Sequence, residues 1–466
     1  MNFKAVNFRY LLLPIALLTL SAISTQCSDG NNTDSIDNPE VVVIKPEDRL
    51  PQIFVNTNGA EIIDEPKIDG EITISKAEVV SYQGKIGIEI RGASSQSFPK
   101  KSYGFETRDP ANADLDVSLF GLPEESDWIL YGPYSDKSLM RNVLIYDLSR
   151  DIGQYASRSS FVELTINNQY KGIYVFMEKL KRDAGRININ KLKPDENSGE
   201  NLTGGYILKI DKTAGNNLGE GYNEFNSFTS VHAPLNANLN QEIHFLYEDP
   251  KAEEITPEQK YYISNYVADF ENALASADFK DENLGYPAFI DVSSFIDFFL
   301  LNELSHNVDG FRLSTFMTKD KNGKLKMGPI WDFNLAFGNA DYCDGSNTNT
   351  WAYQFNVRCG DDFWLIPFWW NRFMEDPAFV TQLKARWNTL RGGALTESAI
   401  LSKIDGYAAT LEKSGAVNKN FKTWQVLGVY VWPNNFIGNT YSDEANYLKN
   451  WVKSRLNWMD SAINGL

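Results

Sequence analysis

Two aspartates that flank a predicted β-hairpin are the residues best placed to do chemistry in this 466-residue chain. Asp309 precedes a predicted strand at residues 311–317, and Asp332 follows a second one at residues 324–330. A hairpin returns the chain to its start, so these carboxylates, 23 positions apart, can meet at one end of it. Such a pair suits phosphoryl transfer, in which one carboxylate positions the acceptor hydroxyl and the other holds the Mg²⁺ that bridges the phosphates. Taken singly, each aspartate would more often be a turn residue or a helix cap.

The elements that position this pair are predicted to be β-rich in the first part of the chain and helical in the second. Short alternating segments predict strands, with hairpin-like breaks at Asn58-Gly59, Asp69-Gly70 and Gln83-Gly84. The strands are residues 52–55, 71–75, 85–91, 102–107, 161–166 and 172–178. Apolar residues at helical spacing predict helices over residues 138–152, 256–272, 293–304, 379–390 and 442–463. The predicted fold class is therefore α+β.

The composition limits the classes of partner. With 42% hydrophobic residues, the chain can bury a sizeable core without a disulfide framework. Its 61 acidic and 44 basic residues give a net charge of −17. A generic nucleic-acid binder is basic, because phosphate neutralisation supplies most of its affinity, so we expect no nucleic-acid partner. Any anion site in this chain must carry its own local positive charge.

The first 26 residues have the layout of a secretory signal peptide. The apolar run at residues 10–23 is shorter than the ~20 residues that span a bilayer, and it ends just before Cys27 and a polar stretch. This pattern predicts that Cys27 is lipidated after cleavage, that residues 27–49 form a flexible tether, and that lipid anchors the protein to the outer membrane or surface of a bacterial cell envelope. Ordinary cleavage near Ser24 is the alternative, and it would leave a lone thiol in an oxidising compartment.

Two features of the second half admit a structural and a functional interpretation. Cys343 and Cys359 flank a loop-type stretch, so they can form a disulfide after export or remain two separate thiols. Two aromatic clusters suit either carbohydrate stacking or core packing. Their members are Trp351, Tyr353, Trp364, Phe368, Trp369 and Trp370. A glycan is therefore one candidate partner.

Five segments, taken in order, resemble the kinase family of spore coat protein H, the CotH kinase family. Residues 307–310 and 329–338, which contain the two aspartates, resemble the family's Asn-x-Asp-Gly and Pro-x-Trp-Asp-Phe-x-x-x-Phe-Gly elements. The other three are residues 91–103, 127–142 and 168–179. The resemblance implies a two-lobed atypical protein-kinase-like fold over residues 50–466. Its mainly β N-lobe would take about residues 50–180, and its mainly helical C-lobe about residues 181–466.

The resemblance also implies a role for each matching residue. Asp309 would be the catalytic carboxylate and Asp332 the metal ligand in a site for ATP and Mg²⁺. Lys101, or its neighbour Lys100, would approach the nucleotide phosphates from a strand. The remaining nucleotide-binding positions would be Arg91, Ser94, Ser95, Gln96 and Glu178.

The chain departs from the family pattern at two positions near the aspartates. Ser314-Thr315 stand where the family has an Asn that serves the metal, and Asn334 replaces the second acid of its Trp-Asp-x-Asp element. Losing a hard anionic ligand weakens Mg²⁺ binding. The resemblance as a whole implies a Ser/Thr protein kinase that acts on an exported protein acceptor. The alternative is a catalytically weak or inactive kinase-like surface lipoprotein that binds a glycan or a protein.

Overall fold

The structure, a computed structural model, describes residues 44–214 and 221–466. The predicted signal peptide, the predicted lipidation site at Cys27 and the tether up to residue 43 lie outside the described residues. Ile44–Leu466 forms one unit by its own internal contacts.

A closed barrel of seven strands forms the first part of the described chain. Its strands are β1 (Gln52–Asn56), β2 (Ile68–Lys76), β3 (Val79–Arg91), β4 (Ser102–Arg108), β5 (Asp127–Tyr131), β6 (Ser159–Ile166) and β7 (Gln169–Glu178). Their order is β1-β2-β3-β4-β5-β7-β6, and a parallel pair between β1 and β6 closes the barrel. Alternate residues such as Ile53, Ile72 and Ile88 point into one apolar core, because successive strand side chains face opposite sides.

A second sheet of five strands carries the predicted hairpin. Its members are β8 (Tyr206–Ile210), β9 (Ser227–Thr229), β10 (His244–Asp249), β11 (Thr315–Lys319) and β12 (Leu325–Met327). The order is β12-β11-β8-β10-β9, so the hairpin β11–β12 is attached through β8. The hairpin is therefore present but shorter than predicted, since residues 311–314 form a turn that leads into β11.

Helices make up most of the second part of the chain. They are α1 (Arg141–Asp151), α2 (Gly199–Leu202), α3 (Pro257–Ala275), α4 (Val292–Ser305), α5 (Phe355–Arg358), α6 (Trp369–Phe373), α7 (Pro377–Arg391), α8 (Glu397–Lys413), α9 (Ala416–Thr423) and α10 (Tyr441–Asn464). The predicted α+β class, with a β-rich N-terminal region and a helical C-terminal region, is confirmed. Capping boxes begin the two longest helices, with Thr256 and Gln259 at α3 and Thr440 and Asp443 at α10.

Two predicted hairpin breaks are wrong. Gly70 pairs with Ile86 inside β2, and Gly84 pairs with Ile72 inside β3. The chain turns instead at Ala77-Glu78, whose φ values of 50° and 70° are left-handed although neither residue is glycine. The glycines misled the prediction because a strand tolerates them when its neighbours supply the pairing.

The aromatic clusters pack mainly in the core. Tyr353, Phe368, Trp369 and Trp370 are all less than 10% exposed, whereas Trp364 lines the cavity described below. The predicted carbohydrate surface is therefore not available at these four residues. Cys343 and Cys359 form a disulfide with their Cα atoms 5.9 Å apart.

Candidate active site

A cavity of about 860 Å³ lies between the barrel and the second sheet. Its walls come from barrel strands β3, β4, β5 and β7, from strands β8 and β10, and from the loops that carry Asp309 and Asp332. Both aspartates line it, so the chain brings together the two carboxylates that the sequence predicted to meet. A volume of this size matches the pockets that hold small molecules and cofactors.

Asp332 is held in an unusual backbone conformation by helix α1. Its φ is 62°, in the left-handed region that non-glycine residues rarely adopt. The Asp332 N–H donates to the hydroxyl of Tyr146 at 3.1 Å, and the N–H of Phe333 donates to the Asn142 side chain at 2.7 Å. Asn142 and Tyr146 lie four residues apart on one face of α1, so a single helix face fixes the position of the Asp332 carboxylate.

The side chain of Asp332 is open to the cavity, and the cavity walls desolvate its carboxylate. This desolvation is the largest cause of the rise of its pKa to about 6, and the negative charges of Asp309 and Asp211 contribute to the same rise. The positive charges of Arg91 and Lys212 oppose the rise. The site therefore holds more negative charge than its own cations neutralise, and an added cation would relieve this imbalance.

Asp309 is oriented by contacts on two sides. Arg312 donates to its carboxylate at 2.8 Å and forms a second ion pair with Asp362 at 3.1 Å. The hydroxyl of Tyr342 approaches the same Asp309 oxygen at 3.4 Å. Burial and the charge of Asp309 raise the pKa of Tyr342, which keeps its hydroxyl protonated as a donor. Arg312 and Tyr342 thus both contact Oδ1 of Asp309.

The barrel contributes a cation and a tight loop to the opposite wall. Arg91, at the end of β3, lies over the ring of Trp331, with its guanidinium carbon 5.6 Å from the ring centroid. Trp331 directly precedes Asp332 in the chain. The loop then turns at Gly92, whose φ is 101° and where a Cβ atom would lie 2.1 Å from the Ser95 hydroxyl. Ser94 and Ser95 line the cavity, and the anion-binding role that the resemblance implies for them stays a prediction.

Three predicted nucleotide-binding residues do not line the cavity. Lys100 is 2% exposed, and its ammonium donates to the Ile173 carbonyl at 2.6 Å and to the Asn420 side chain at 3.0 Å. Lys101 donates to the carbonyl of Gln96 and so braces the loop from outside. Gln96 itself donates to the carbonyl of Gly92. The predicted phosphate contacts of Lys100, Lys101 and Gln96 are therefore replaced by contacts that hold the barrel and its loop together.

Glu178 also faces away from the cavity. It is fully buried and accepts hydrogen bonds from the side chain and the backbone N–H of Arg158. Its neighbours Met177 and Lys179 line the cavity instead. The strand alternation that places residues 177 and 179 on one face of β7 necessarily turns Glu178 to the other.

Two charged residues of the second sheet and one directly after strand β8 line the cavity and were missed by sequence reasoning. Lys209 on β8 forms an ion pair with Glu248 on β10 at 2.7 Å. Asp211, two positions further along, accepts hydrogen bonds from the backbone N–H groups of Lys212 and Ser314. The available signal was the alternation of apolar and charged residues over 208–211, which puts Lys209 and Asp211 on the same side of a strand.

The donor set of the cavity fits a hard divalent cation. Mg²⁺ takes oxygen ligands and is usually bound by one or two carboxylates together with phosphates and water. Within residues 44–214 and 221–466, no three His, Cys, Asp or Glu side chains are grouped closely enough to hold an ion by themselves. Asp332 and Asp309 are the carboxylates of the cavity that would hold such an ion together with phosphates and water. Ser314 and Asn334, the two departures from the family pattern, line the same cavity.

Comparison with known families decides the relationship of the chain. The model of the CotH kinase protein family matches residues 88–459, which include the cavity walls from Glu89 onward and both aspartates. The chain belongs to the CotH kinase protein family. Among CotH proteins, the inner spore coat protein H of Bacillus subtilis (strain 168) is 23% identical over 298 residues, which are 63% of this chain and 71% of that protein. In the described ranges, no helix is both long and apolar enough to cross a bilayer.

Proposed function

We propose that this CotH family member is a Ser/Thr protein kinase that uses ATP and Mg²⁺ and acts on exported proteins. The observation that carries the proposal is the meeting of Asp309 and Asp332 in one cavity, opposite a cation and a serine loop. We propose further that the barrel acts as the N-lobe and the remaining sheet and helices as the C-lobe of a kinase-like arrangement. The position of the cavity between these parts supports this assignment.

The phosphates would face Arg91 and the loop at Ser94 and Ser95. This placement supplies the local positive charge that the net charge of −17 otherwise denies to an anionic ligand. Asp332 would be the ligand of Mg²⁺, and the metal, when bound, would neutralise charge on the phosphates. Lys209, held in an ion pair with Glu248, adds an oriented cation on the second-sheet wall of the same cavity.

Asp309 would act on the acceptor hydroxyl. The bond between the γ-phosphorus and the bridging oxygen of ATP breaks, a bond between that phosphorus and the acceptor oxygen forms, and the hydroxyl proton passes to Asp309. ADP leaves with the electron pair of the broken bond. Arg312 and Tyr342 hold the Asp309 carboxylate at one oxygen, so the other oxygen can receive the proton.

A second candidate function follows from the residues that the cavity lacks. Asn334 stands where the family pattern has a second acid, and Lys100, Lys101 and Glu178 are used to hold the barrel together. These observations favour a catalytically weak or inactive surface protein that keeps the fold and binds a protein or glycan. Measured transfer distinguishes the two functions.

The test is incubation of the purified protein with radiolabelled ATP and Mg²⁺, with EDTA as the metal-free control. The kinase proposal expects label on the protein itself or on an added acceptor, lost with EDTA and in the Asp309→Asn variant. Nucleotide binding without transfer would support the binding function. Absence of both would overturn the proposed kinase.

We also propose that lipid on Cys27 anchors the protein in the bacterial cell envelope. The apolar run that ends just before Cys27 supports this location. The Cys27→Ala variant is expected in the soluble fraction after export, while the wild-type protein sediments with membranes. A soluble wild-type protein without an acyl group by mass spectrometry would contradict the proposal.

A further inference from the structure

Four large apolar side chains are exposed on one side of the candidate active site. This group, called the Phe363 surface, consists of Leu235, Leu239, Val357 and Phe363, each 45–66% exposed. Leu235 and Leu239 lie in one loop, Val357 on helix α5 and Phe363 in the loop that follows this helix. Hydrogen bonds join the two segments: the Asn356 side chain donates to the Leu235 carbonyl, and the Gln241 side chain donates to the Asp362 carbonyl.

The Phe363 surface is connected directly to Asp309. Arg312, which pairs with Asp309, also pairs with the Asp362 carboxylate and donates to the Trp364 carbonyl at 3.0 Å. Phe363 therefore lies between two residues that the Asp309 partner holds. The ring of Trp364 contacts that of Phe363 at 5.0 Å and lines the cavity, so the apolar surface continues to its mouth.

A second exposed apolar group is connected to Asp309 through its other contact. This group, called the Trp432 surface, consists of Val429, Tyr430 and Trp432, each 50% exposed. Trp432 lines the cavity and stacks on Tyr342, with ring centroids 6.1 Å apart and planes 6° from parallel. Asp309 therefore has one partner on each side. Tyr342 connects it to the Trp432 surface, and Arg312 connects it through Trp364 to the Phe363 surface.

We propose that the acceptor is an extended polypeptide segment that carries large apolar side chains on both sides of the phosphorylated Ser or Thr. This inference rests on the proposed kinase function and names the substrate class of the same site. The hydroxyl would reach Asp309, while residues before and after it would cover the Phe363 surface and the Trp432 surface. Side chains of an extended segment reach separate pockets along its length, which suits two surfaces divided by a reacting centre.

The chemistry of the two surfaces favours a polypeptide over a glycan. Four of the seven side chains, Leu235, Leu239, Val357 and Val429, are aliphatic and offer neither a flat ring face nor a hydrogen-bonding group for a sugar hydroxyl. Large apolar side chains of a polypeptide can cover both these residues and the rings of Phe363, Tyr430 and Trp432. Their continuity with the two partners of Asp309 also argues for a substrate contact rather than for insertion into a bilayer. Exposed apolar side chains that are grouped beside a cavity, rather than scattered singly, are typical of an interaction site.

The test uses a peptide library with one fixed central Ser, varied flanking positions, labelled ATP and Mg²⁺. We expect wild-type protein to enrich large apolar residues about tenfold over Asp or Gly on both sides, because covering one such side chain changes affinity by that order. Phe363→Ser should reduce the preference on one side and Trp432→Ser that on the other. Leu284→Ser, at an apolar side chain that is 67% exposed elsewhere, is the matched control and should leave both unchanged.

The outcomes separate this inference from the kinase proposal. Phosphorylation of the library without apolar enrichment overturns the inference and leaves the kinase intact. Labelling of glycans but not peptides overturns it in favour of a carbohydrate acceptor. Binding of the wild-type protein to phosphatidylcholine vesicles, lost in both surface variants while the apolar preference is absent, assigns the surfaces to a membrane. Absence of both nucleotide binding and transfer defeats the kinase proposal itself, and the inference with it.

Discussion

The two walls of the cavity differ in how their motif residues are used. On the wall formed by the loops around the second sheet, Asp309 and Asp332 point into the cavity. In the barrel, Lys100 and Glu178 also lie in segments that resemble the family, but both side chains are buried and bind other residues of the protein. A residue in a segment that resembles the family can therefore either line the cavity or stabilise the fold, and the residue type alone does not distinguish these two roles.

The difference has a physical cause in the local backbone. Asp332 occupies a loop whose left-handed conformation lifts the carboxylate away from the packed side chains. Lys100, in contrast, lies beside β7 and α9, where Asn420 approaches Gly172 so closely that a Cβ atom there would be 2.5 Å from the Asn420 oxygen. The Lys100 ammonium completes this close contact between the barrel and α9. At the cavity, the barrel wall presents Arg91 and Lys179 instead.

The largest expected effect concerns Asp309, and it separates transfer from binding on the first wall. Asp309→Asn should lower the rate of phosphate transfer about 10²–10⁴-fold, the range for loss of a positioned proton acceptor. Nucleotide affinity should stay within about threefold, because Asp309 acts on the acceptor hydroxyl. Single-turnover kinetics and calorimetric titration measure the two quantities. Equal losses of both would place Asp309 at the nucleotide instead.

The pKa of Asp332 tests whether Arg91, on the barrel wall, acts electrostatically on a carboxylate of the other wall. An ordinary aspartate titrates near 3.8, whereas Asp332 is raised to about 6, so it loses its negative charge as the pH falls through 6. Binding of a cation should weaken in that window, since the protonated carboxyl is a poor ligand. Carbon-13 NMR of labelled aspartate carboxyls should show a midpoint near pH 6 that is missing in Asp332→Asn. Arg91→Met should raise the midpoint further, and an unchanged midpoint would show that the barrel cation does not reach Asp332.

A smaller effect is expected at Lys100, where the comparison predicts a loss of stability without a change in chemistry. Lys100→Met keeps the length of the side chain but leaves the Ile173 carbonyl without its donor, which should cost about 1–3 kcal/mol in the free energy of unfolding. Nucleotide affinity should not change. Urea denaturation gives the first quantity, with Lys76→Met at an exposed position as the control. A large drop in nucleotide affinity with normal stability would instead show that Lys100 contacts the phosphates.

The smallest effect is expected where helix α1 supports the Asp332 loop. Tyr146→Phe removes the hydroxyl that accepts from the Asp332 N–H but keeps the ring that stacks on Trp331. The loss of one such hydrogen bond should cost about 1 kcal/mol, or about fivefold in the affinity for nucleotide with Mg²⁺. Tyr261→Phe, at an exposed ring, is the control. An unchanged affinity would mean that Asn142 alone holds the loop.

The placement of Asp309 and Asp332 could be predicted from the sequence better than the placement of the cations. The difference lies in how far along the chain the contacts that fix each residue are. The approach of Asp309 and Asp332 follows from a local hairpin, and β11–β12 forms close to its predicted place, although α1 then fixes the Asp332 loop. The placement of Lys100 depends on α9, more than 300 positions away, through its bond to Asn420. The cavity contributions of Lys209 and Asp211 depend on the neighbours of β8 in the second sheet, which the local pattern does not specify.

The central claim is that Asp332 binds the metal of a nucleotide in this cavity. Calorimetric titration with a non-hydrolysable ATP analogue and Mg²⁺ tests it most directly, using the wild-type protein, Asp332→Ala and the exposed-site control Glu282→Ala. We predict Mg²⁺-dependent binding by the wild-type protein and the control, and a loss of at least about 100-fold in Asp332→Ala, since the metal would lose its main protein ligand. Equally poor binding by all three proteins, with or without Mg²⁺, would contradict the claim and assign the cavity to another ligand.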